Sequence, residues 1–462
     1  MPRTTKPATP RLRSATPASA AAILARSQKA GVAQVELQFA DITGAVKSVW
    51  VPIGRLADVL KRGEWFDGSA IEGVAREVES DMFLRPDRST FTVTDPNAEV
   101  VCGRLLCDVV TPGGKPYPGD SRSALAGILA SARDAGLEYL VSPEVEFFLF
   151  PEGSDGLRAL GEDPGSYFER SHGLARQVEL EIVVALQAMG VQVESSHHEV
   201  ARGQYELDLP MQPAMAAADA LTTLKSAVKE LARRRGLQAS FMPKPLNHVA
   251  GSGMHTHQVL LQKGGGAGAN AFYDPRDAYG LSPVGRFFAA GQLDHAPGMC
   301  ALVAPLVNSY KRLVPGYEAP VAGSWGRHNR SALIRVPMPS AMAGSDGLGT
   351  RLELRLPDPS CNPYLAFTAM LAAGLDGLNQ EMELGPPMEE VEHGYQDSSR
   401  VAAKPLPTSL REALDALEAD DVLVDAVGSE ALDLFKTAKE LEWGQYNRQV
   451  TEWELETYLR NY

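Results

Sequence analysis

The stretch VSPEVEFFLF, residues 141–150, has the apolar density of a buried β-strand yet carries Glu144 and Glu146. Side chains of a strand alternate between its two faces, so both carboxylates point the same way. Ionised carboxylates withdrawn from water cost far more than a short strand recovers, unless positive charge meets them. The same conflict recurs in three segments distant in sequence. In SSHHEVARGQYELDL, residues 195–209, Glu199 precedes a turn at 201–203, and Gln204, Glu206 and Asp208 share the face opposite Tyr205, Leu207 and Leu209. In GSGMHTHQVL, residues 251–260, His255 and His257 share a face. In RLELRLPDP, residues 351–359, Arg351, Glu353 and Arg355 alternate with Leu352, Leu354 and Leu356.

Any one of these segments is explained by an antiparallel strand with one wet face. Together, by their repeated choice of glutamate and histidine, they predict a curved sheet lining a cavity with an acidic inner wall. Carboxylates with a single imidazole suit Mg²⁺ or Mn²⁺ better than Zn²⁺. Magnesium held by carboxylates generally works with phosphates, and guanidinium forks bind carboxylate and phosphate alike.

The 462 residues exceed what one hydrophobic core usually serves, which predicts two domains. Acidic residues outnumber basic ones, 58 to 44, for a net charge of −14. That excess disfavours nucleic acid and anionic lipid as partners. Cys102, Cys107, Cys300 and Cys361 form no framework and read as free thiols in a reducing, cytoplasmic compartment. No apolar run approaches membrane-spanning length.

Residues 1–20 are basic, acid-free and rich in Pro, Ala and Thr, which predicts a disordered tail. Ser19 is a candidate cap for the Ala-rich helix that follows. Residues 32–52 read as two strands joined at Asp41-Ile42-Thr43-Gly44. VTPGGKPYPGD, 110–120, reads as a linker, which divides the chain into domains over 21–112 and 113–462. Helices are predicted over 121–135 and about 173–189, and a third carries Leu221, Leu224, Val228 and Leu231 on one stripe. Ser409 and Glu412 predict a capping box for a further helix. The fold class is α+β.

The segments FDGSAIEG (66–73), PEVEFFLF (143–150), HHEVARGQYE (197–206), FMPKP (241–245), GSGMHTH (251–257), NSYKRLVPGYEAP (308–320), RHNRSALIR (327–335) and ELRLPDPSCNPY (353–364) resemble, in order, the motifs of glutamine synthetases. The resemblance implies an N-terminal β-grasp domain and a catalytic domain whose curved antiparallel sheet forms a two-ended funnel, the bifunnel shared with guanido kinases. It implies two or three Mg²⁺ or Mn²⁺ ions, one held by Glu146, Glu199 and Glu206, another by Glu144, His255 and Glu353. ATP is the implied co-substrate, contacted by Glu194, His257, Arg330 and Arg335. Glutamate is implied to meet Gly251, Arg312 and Arg355. Asp67, Tyr167 and Glu199 match the ammonium pocket, Asp67 as proton acceptor, and Glu318 matches the flap that shields the acyl phosphate from water. The implied assembly is a homo-oligomer, commonly a dodecamer of two hexameric rings, in which the loop of Asp67 reaches the neighbouring subunit's site.

The activity so implied is ATP-dependent joining of glutamate to ammonia, giving glutamine. Some positions depart from the motifs. Ala70 stands where DGSS has its last serine, Val249-Ala250 replaces aspartate-asparagine, Val259 replaces a serine near ATP, and no lysine precedes Glu353 in SDGLGTRLE. A looser amine pocket suits methylamine, ethanolamine or a polyamine as alternative acceptors. A non-catalytic structural member or an amine sensor is the alternative from another class. Tyr395 lies near a position that is adenylylated in some members, and its flanks favour an ordinary exposed tyrosine.

Overall fold

The computed structural model describes residues 18–71, 81–153, 165–263, 270–338, 349–389 and 404–462. The basic tail through Pro17, and Tyr395, lie outside them. Helix α1 (Ala20–Lys29) begins where the Ser19 side chain accepts a hydrogen bond from Ala22 N. The hairpin of β1 (Gln34–Ala40) and β2 (Val46–Pro52) turns on Asp41, whose Oδ1 accepts from Thr43 N and Ala45 N. Helix α2 (Leu56–Arg62), β3 (Glu64–Asp67), β4 (Asp81–Pro86), β5 (Thr92–Val93) and β6 (Cys102–Val110) complete the first unit. Its sheet runs β2-β1-β6-β4-β3 with β5 on β6, and β1 pairs parallel to β6. Val35, Leu37, Leu56, Val59, Leu84 and Leu105 fill one core beneath it.

The second unit opens with α3 (Ser121–Asp134) and β7 (Leu137–Pro151), on which its sheet is built. After α4 (Gly173–Ala188) come β8 (Ser195–His198), β9 (Gln204–Asp208), β10 (Gln212–Pro213), α5 (Ala214–Arg234), β11 (Leu237–Ser240) and β12 (Thr256–Gln262). Helices α6 (Pro283–Asp294), α7 (Ala296–Val303) and α8 (Ser309–Arg312) precede β13 (Trp325–Gly326), β14 (Ile334–Arg335) and β15 (Leu352–Leu354). Strand order is β13-β14-β15-β12-β7-β9-β8, with β10 and β11 also on β7. Pairing is antiparallel except between β13 and β14, which run parallel. Leu221, Leu224 and Val228 of α5 are fully buried, and the partly buried Leu231 packs beside them.

Helix α9 (Pro363–Asn379) is buried along most of its length and meets α6 backbone to backbone. A Cβ on Gly291 would lie 2.1 Å from Ala373 O and 2.7 Å from Gly377 N. The chain ends in α10 (Leu410–Glu418), α11 (Asp421–Val427), α12 (Ser429–Tyr446) and α13 (Glu452–Tyr458). Among the described residues no helix is long and apolar enough to cross a membrane.

Several polar joints lock the units together. Arg122 on α3 donates to Asp87 and Asp108 of the first unit, each at 2.6 Å, and to Asp219 on α5 at 3.0 Å. Asn362 Nδ2 donates to Asp41 O at 3.1 Å, and Gly44, at φ +88°, lets the hairpin turn approach Asn362. A buried guanidinium surrounded by three carboxylates is tolerable because each charge is paired and hydrogen-bonded.

The predicted capping box at Ser409 forms only by half. Ser409 Oγ accepts from Glu412 N at 3.3 Å, but the Glu412 carboxylate reaches one residue further and takes Thr408 N at 2.8 Å. The reciprocal box instead forms at Thr451 and Glu454, opening α13.

The α6–α9 contact yields a stability prediction. Gly291→Ala overpacks a backbone-to-backbone approach and is expected to cost about 1–3 kcal/mol. Gly444→Ala, where an added Cβ meets nothing within 4 Å, is expected to be neutral or slightly stabilising. Differential scanning calorimetry of both variants reads the contrast as a lowered melting temperature for the first alone.

Candidate active site

The acids converge because β7 changes partner where they sit. Leu137–Pro143 pair with β12, and Glu144–Phe148 pair with β9. At the changeover the irregular segment 251–255 runs alongside, Glu144 N donating to His255 O at 2.8 Å and Glu146 N to Gly253 O at 3.1 Å. Glu146 is thereby set opposite Glu206, and His197 opposite Glu206 from the other side. On the far side of β12, Glu353 lies opposite His257. Period-2 alternation then turns the polar side of each strand into one cavity of about 710 Å³.

Glu144, Glu146, Glu199, Glu206, His255 and Glu353 all line this cavity. So do Tyr167, Gly251, Arg312, Glu318, Arg330, Arg335 and Arg355. Asp67, Glu194 and His257 do not. Asp67 ends β3 in the first unit, exposed, with its carboxylate accepting from Ser69 N. Glu194 is exposed just before β8. His257 sits behind the wall, bonded through Nε2 to Glu144 at 2.7 Å and through Nδ1 to Arg351 Nε at 3.1 Å. Since Arg351 must donate, Nδ1 accepts and the proton sits on Nε2, aimed at Glu144.

Two sets of donors come close enough to share a cation. Glu144, His255 and Glu353 offer ligand atoms all within 4.8 Å of one another. The other close set among the described residues is His197, Glu206 and Asp208. The resemblance groups Glu206 with Glu146 and Glu199 and gives His197 no role. His197 stands between those acids, Nε2 3.3 Å from Glu206 and Nδ1 3.6 Å from Glu199. The available signal was its position two residues before Glu199, which in a strand means the same face.

The two sets differ electrostatically. Burial raises the carboxyls of Glu144 and Glu353, but the imidazoles of His255 and His257 beside the first, His257 donating at 2.7 Å, and the guanidinium groups of Arg355 and Arg335 beside the second hold both below the ordinary range. Arg355 Nη1 donates to Glu353 at 2.6 Å, and Arg335 Nε lies 3.1 Å away. His255 is pushed down to about 4 by burial and by Arg355, so its imidazole is neutral, as a ligand must be. Glu146 and Glu206 lack such company. Burial and the Glu199 charge push Glu146 up to about 8, while burial and the charges of Glu146 and Glu144 push Glu206 up to about 12.

These residues fit divalent cations. Asp208 Oδ1 and Gln204 Oε1 are buried acceptors with no hydrogen-bond donor. Acceptors left over among mutually repelling carboxylates are what a hard cation satisfies.

Opposite the acids stand the cations. Arg312, fully buried, is held by Leu356 O at 2.9 Å and Arg355 O at 3.0 Å. Arg355 Nε donates to Arg330 O at 3.1 Å and Nη2 to Glu318 O at 3.2 Å. Arg330 pairs with the Glu318 carboxylate at 3.2 Å. An acidic wall facing guanidinium groups across one cavity is suited to a divalent cation and to anionic, phosphate-bearing substrates.

Comparison with known proteins resolves the class further. The family model described as glutamine synthetase, catalytic domain, matches residues 118–458, and that described as glutamine synthetase, beta-Grasp domain, matches residues 31–112. A glutamine synthetase of Halobacterium salinarum is 42% identical over 447 residues, 96% of this chain and 96% of the relative. One of Thermus thermophilus is 44% identical over 440 residues, covering 93% and 96%. The solved GmaS/ADP complex superposes with a TM-score of 0.84 at 33% identity, covering 95% of this chain and 99% of that one. This chain belongs to the glutamine synthetase family, whose members are ATP-dependent carbon–nitrogen ligases.

The raised carboxyls predict how metal-free protein responds to pH. A carboxyl whose folded pKa exceeds its ordinary 4.5 stabilises the fold fully below that value and loses the contribution as pH rises towards the folded pKa. For Glu146 the loss falls between about 5 and 8. Metal-free protein is expected to lose thermal stability across that window, and Mn²⁺ is expected to restore more at pH 8 than at pH 6. Melting curves at both pH values, with and without Mn²⁺, check this.

Proposed function

We propose that this chain couples ATP cleavage to amide formation between the γ-carboxylate of L-glutamate and ammonia. The observation that carries the reading is the closeness of the Glu144, His255 and Glu353 ligand atoms, within 4.8 Å of one another, beside an arginine wall in one cavity.

Glu144, His255 and Glu353 would hold one Mg²⁺ or Mn²⁺ ion and Glu146, Glu199 and Glu206 another, with His197 and Asp208 beside the second set. Bound there, the ions neutralise phosphate charge and bring the carboxylate and the terminal phosphate together. The γ-carboxylate attacks the terminal phosphorus of ATP, the bond to ADP breaks, and γ-glutamyl phosphate forms. The amine then attacks the acyl carbon and expels phosphate. Arg312 and Arg355 grip the glutamate, and Gly251 supplies a backbone carbonyl to its ammonium group. Gln204 Nε2 already donates to that carbonyl at 3.1 Å and to Glu146 at 2.8 Å, which ties the substrate end to the acids. Arg330 and Arg335 meet nucleotide phosphates, with Glu194 and His257 on the nucleotide side.

Glu318 takes φ +56°, a strained setting for a residue with a side chain, and a flap that closes over a reactive acyl phosphate is where such strain is tolerated. Tyr167 and Glu199 contribute to the ammonium pocket. Asp67 is exposed outside its own chain's cavity, which suits delivery to a second copy's site in a ring assembly, two stacked hexamers in this reading.

A larger amine is a second reading. Val249 and Ala250 line the cavity with small apolar groups. ADP release with glutamate plus ammonium, methylamine, ethanolamine or putrescine decides between them. Ammonium is expected to support the fastest turnover, and turnover with putrescine but not ammonium would overturn the first reading. Glu353→Ala is expected to lower ADP formation by about 10²-fold or more, and chelation to abolish it until Mn²⁺ is returned.

A further inference from the structure

Lys244, in the FMPKP segment, is little exposed and has no carboxylate partner among the described residues. Its backbone is pinned on both sides by Asn308, which accepts from Lys244 N at 2.7 Å and donates to Lys244 O at 3.1 Å. Its ammonium donates to Val249 O and stands 3.6 Å from the centre of the Tyr317 ring. Burial lowers its pKa. A largely desolvated ammonium satisfied by one carbonyl and an aromatic face is costly to keep, and a methionine would fill the same space more cheaply.

Both groups that it touches belong to loops that line the cavity. Val249 lies in the loop leading to Gly251, where His248 takes φ +62°. The residue beside Lys244 braces that loop directly, since Pro243 O accepts from Ser252 N at 2.8 Å and a Cβ on Gly251 would come within 2.3 Å of Pro243 O. Tyr317 is the flap residue next to Glu318, itself strained at φ +56°. On its other side the flap is held by Arg330 and Arg355.

We propose that Lys244 is a positioning residue that ties the loop carrying Gly251 to the flap carrying Glu318, so that the two walls of the glutamate end close as one. The proposal rests on the glutamate–amine ligase reading. Without this tie the flap closes less often while the γ-glutamyl phosphate is present. Water then attacks the acyl carbon in place of the amine, phosphate leaves, and glutamate is regenerated, so the net reaction is hydrolysis of ATP to ADP and phosphate.

Full-length Lys244→Met, Lys244→Arg, Tyr317→Leu and Tyr317→Phe proteins are assayed for ADP and for amide product with glutamate and ammonium, or whichever amine the wild type accepts. Wild type is expected to form the two in equal amounts. Lys244→Met is expected to raise ADP per amide several-fold and to raise the KM for glutamate. Tyr317→Leu is expected to do the same, while Tyr317→Phe, which keeps the ring face, stays close to wild type and Lys244→Arg recovers part of the coupling. Equal amounts of ADP and amide from Lys244→Met, with activity unchanged or lost in proportion, would overturn the proposal. If Lys244→Met fails to fold, the two Tyr317 variants carry the same test, and equal coupling in both overturns it. Absence of ADP from wild type with every amine would instead overturn the ligase reading beneath it.

Discussion

Like charges crowd one buried cavity, and the rest of the second unit is arranged around that fact. Glu144 and Glu146 leave β7 on the same side, Glu206 faces Glu146 across β9, and Glu353 closes in from β15. No hydrophobic gain from these short strands offsets four ionised carboxylates held out of water. The sheet therefore tolerates them in two ways. Around Glu144 and Glu353 the protein supplies its own partners, the neutral imidazoles of His255 and His257 and the guanidinium groups of Arg335 and Arg355. Around Glu146 and Glu206 it supplies few, and their carboxyls are driven upward.

That asymmetry has a mechanical side. Each side chain at the site is held by others behind it: Arg351 fixes the tautomer of His257, which steadies Glu144, and Leu356 O and Arg355 O fix Arg312. Gln204 joins Glu146 to the Gly251 carbonyl, and Lys244 joins the same loop to the flap. The loop of Gly251 and the segment of Tyr317 and Glu318 are thereby connected through Lys244. Support from strands, with left-handed backbone at Phe168, His248 and Glu318 around the cavity, suits the preorganisation that phosphoryl transfer needs.

Much of this was legible in the residues. Alternation placed Glu144 with Glu146 and Gln204 with Glu206, because period 2 survives any tertiary context. The Leu221, Leu224, Val228 stripe gave α5, and Ser19 and the Asp41–Gly44 turn marked local boundaries by chemistry that needs no distant partner. What alternation could not supply was depth. His255 and His257 share a face, yet one enters the cavity and the other braces Glu144, since the strand begins only at Thr256. The half-formed cap at Ser409 failed for a similar reason, because Thr408 offered Glu412 a competing backbone donor. His197 carried a signal in its spacing from Glu199, whereas the contact of Lys244 with Tyr317 exists only because distant segments come together in space.

The central claim is that divalent cations are what make this acidic cavity stable and useful. Anomalous scattering from crystals of the full chain grown with Mn²⁺ tests it most directly. The account predicts anomalous peaks within coordination distance of Glu144, His255 and Glu353, and beside Glu206. Manganese bound only on the outer surface, with those carboxylates unligated, would contradict it.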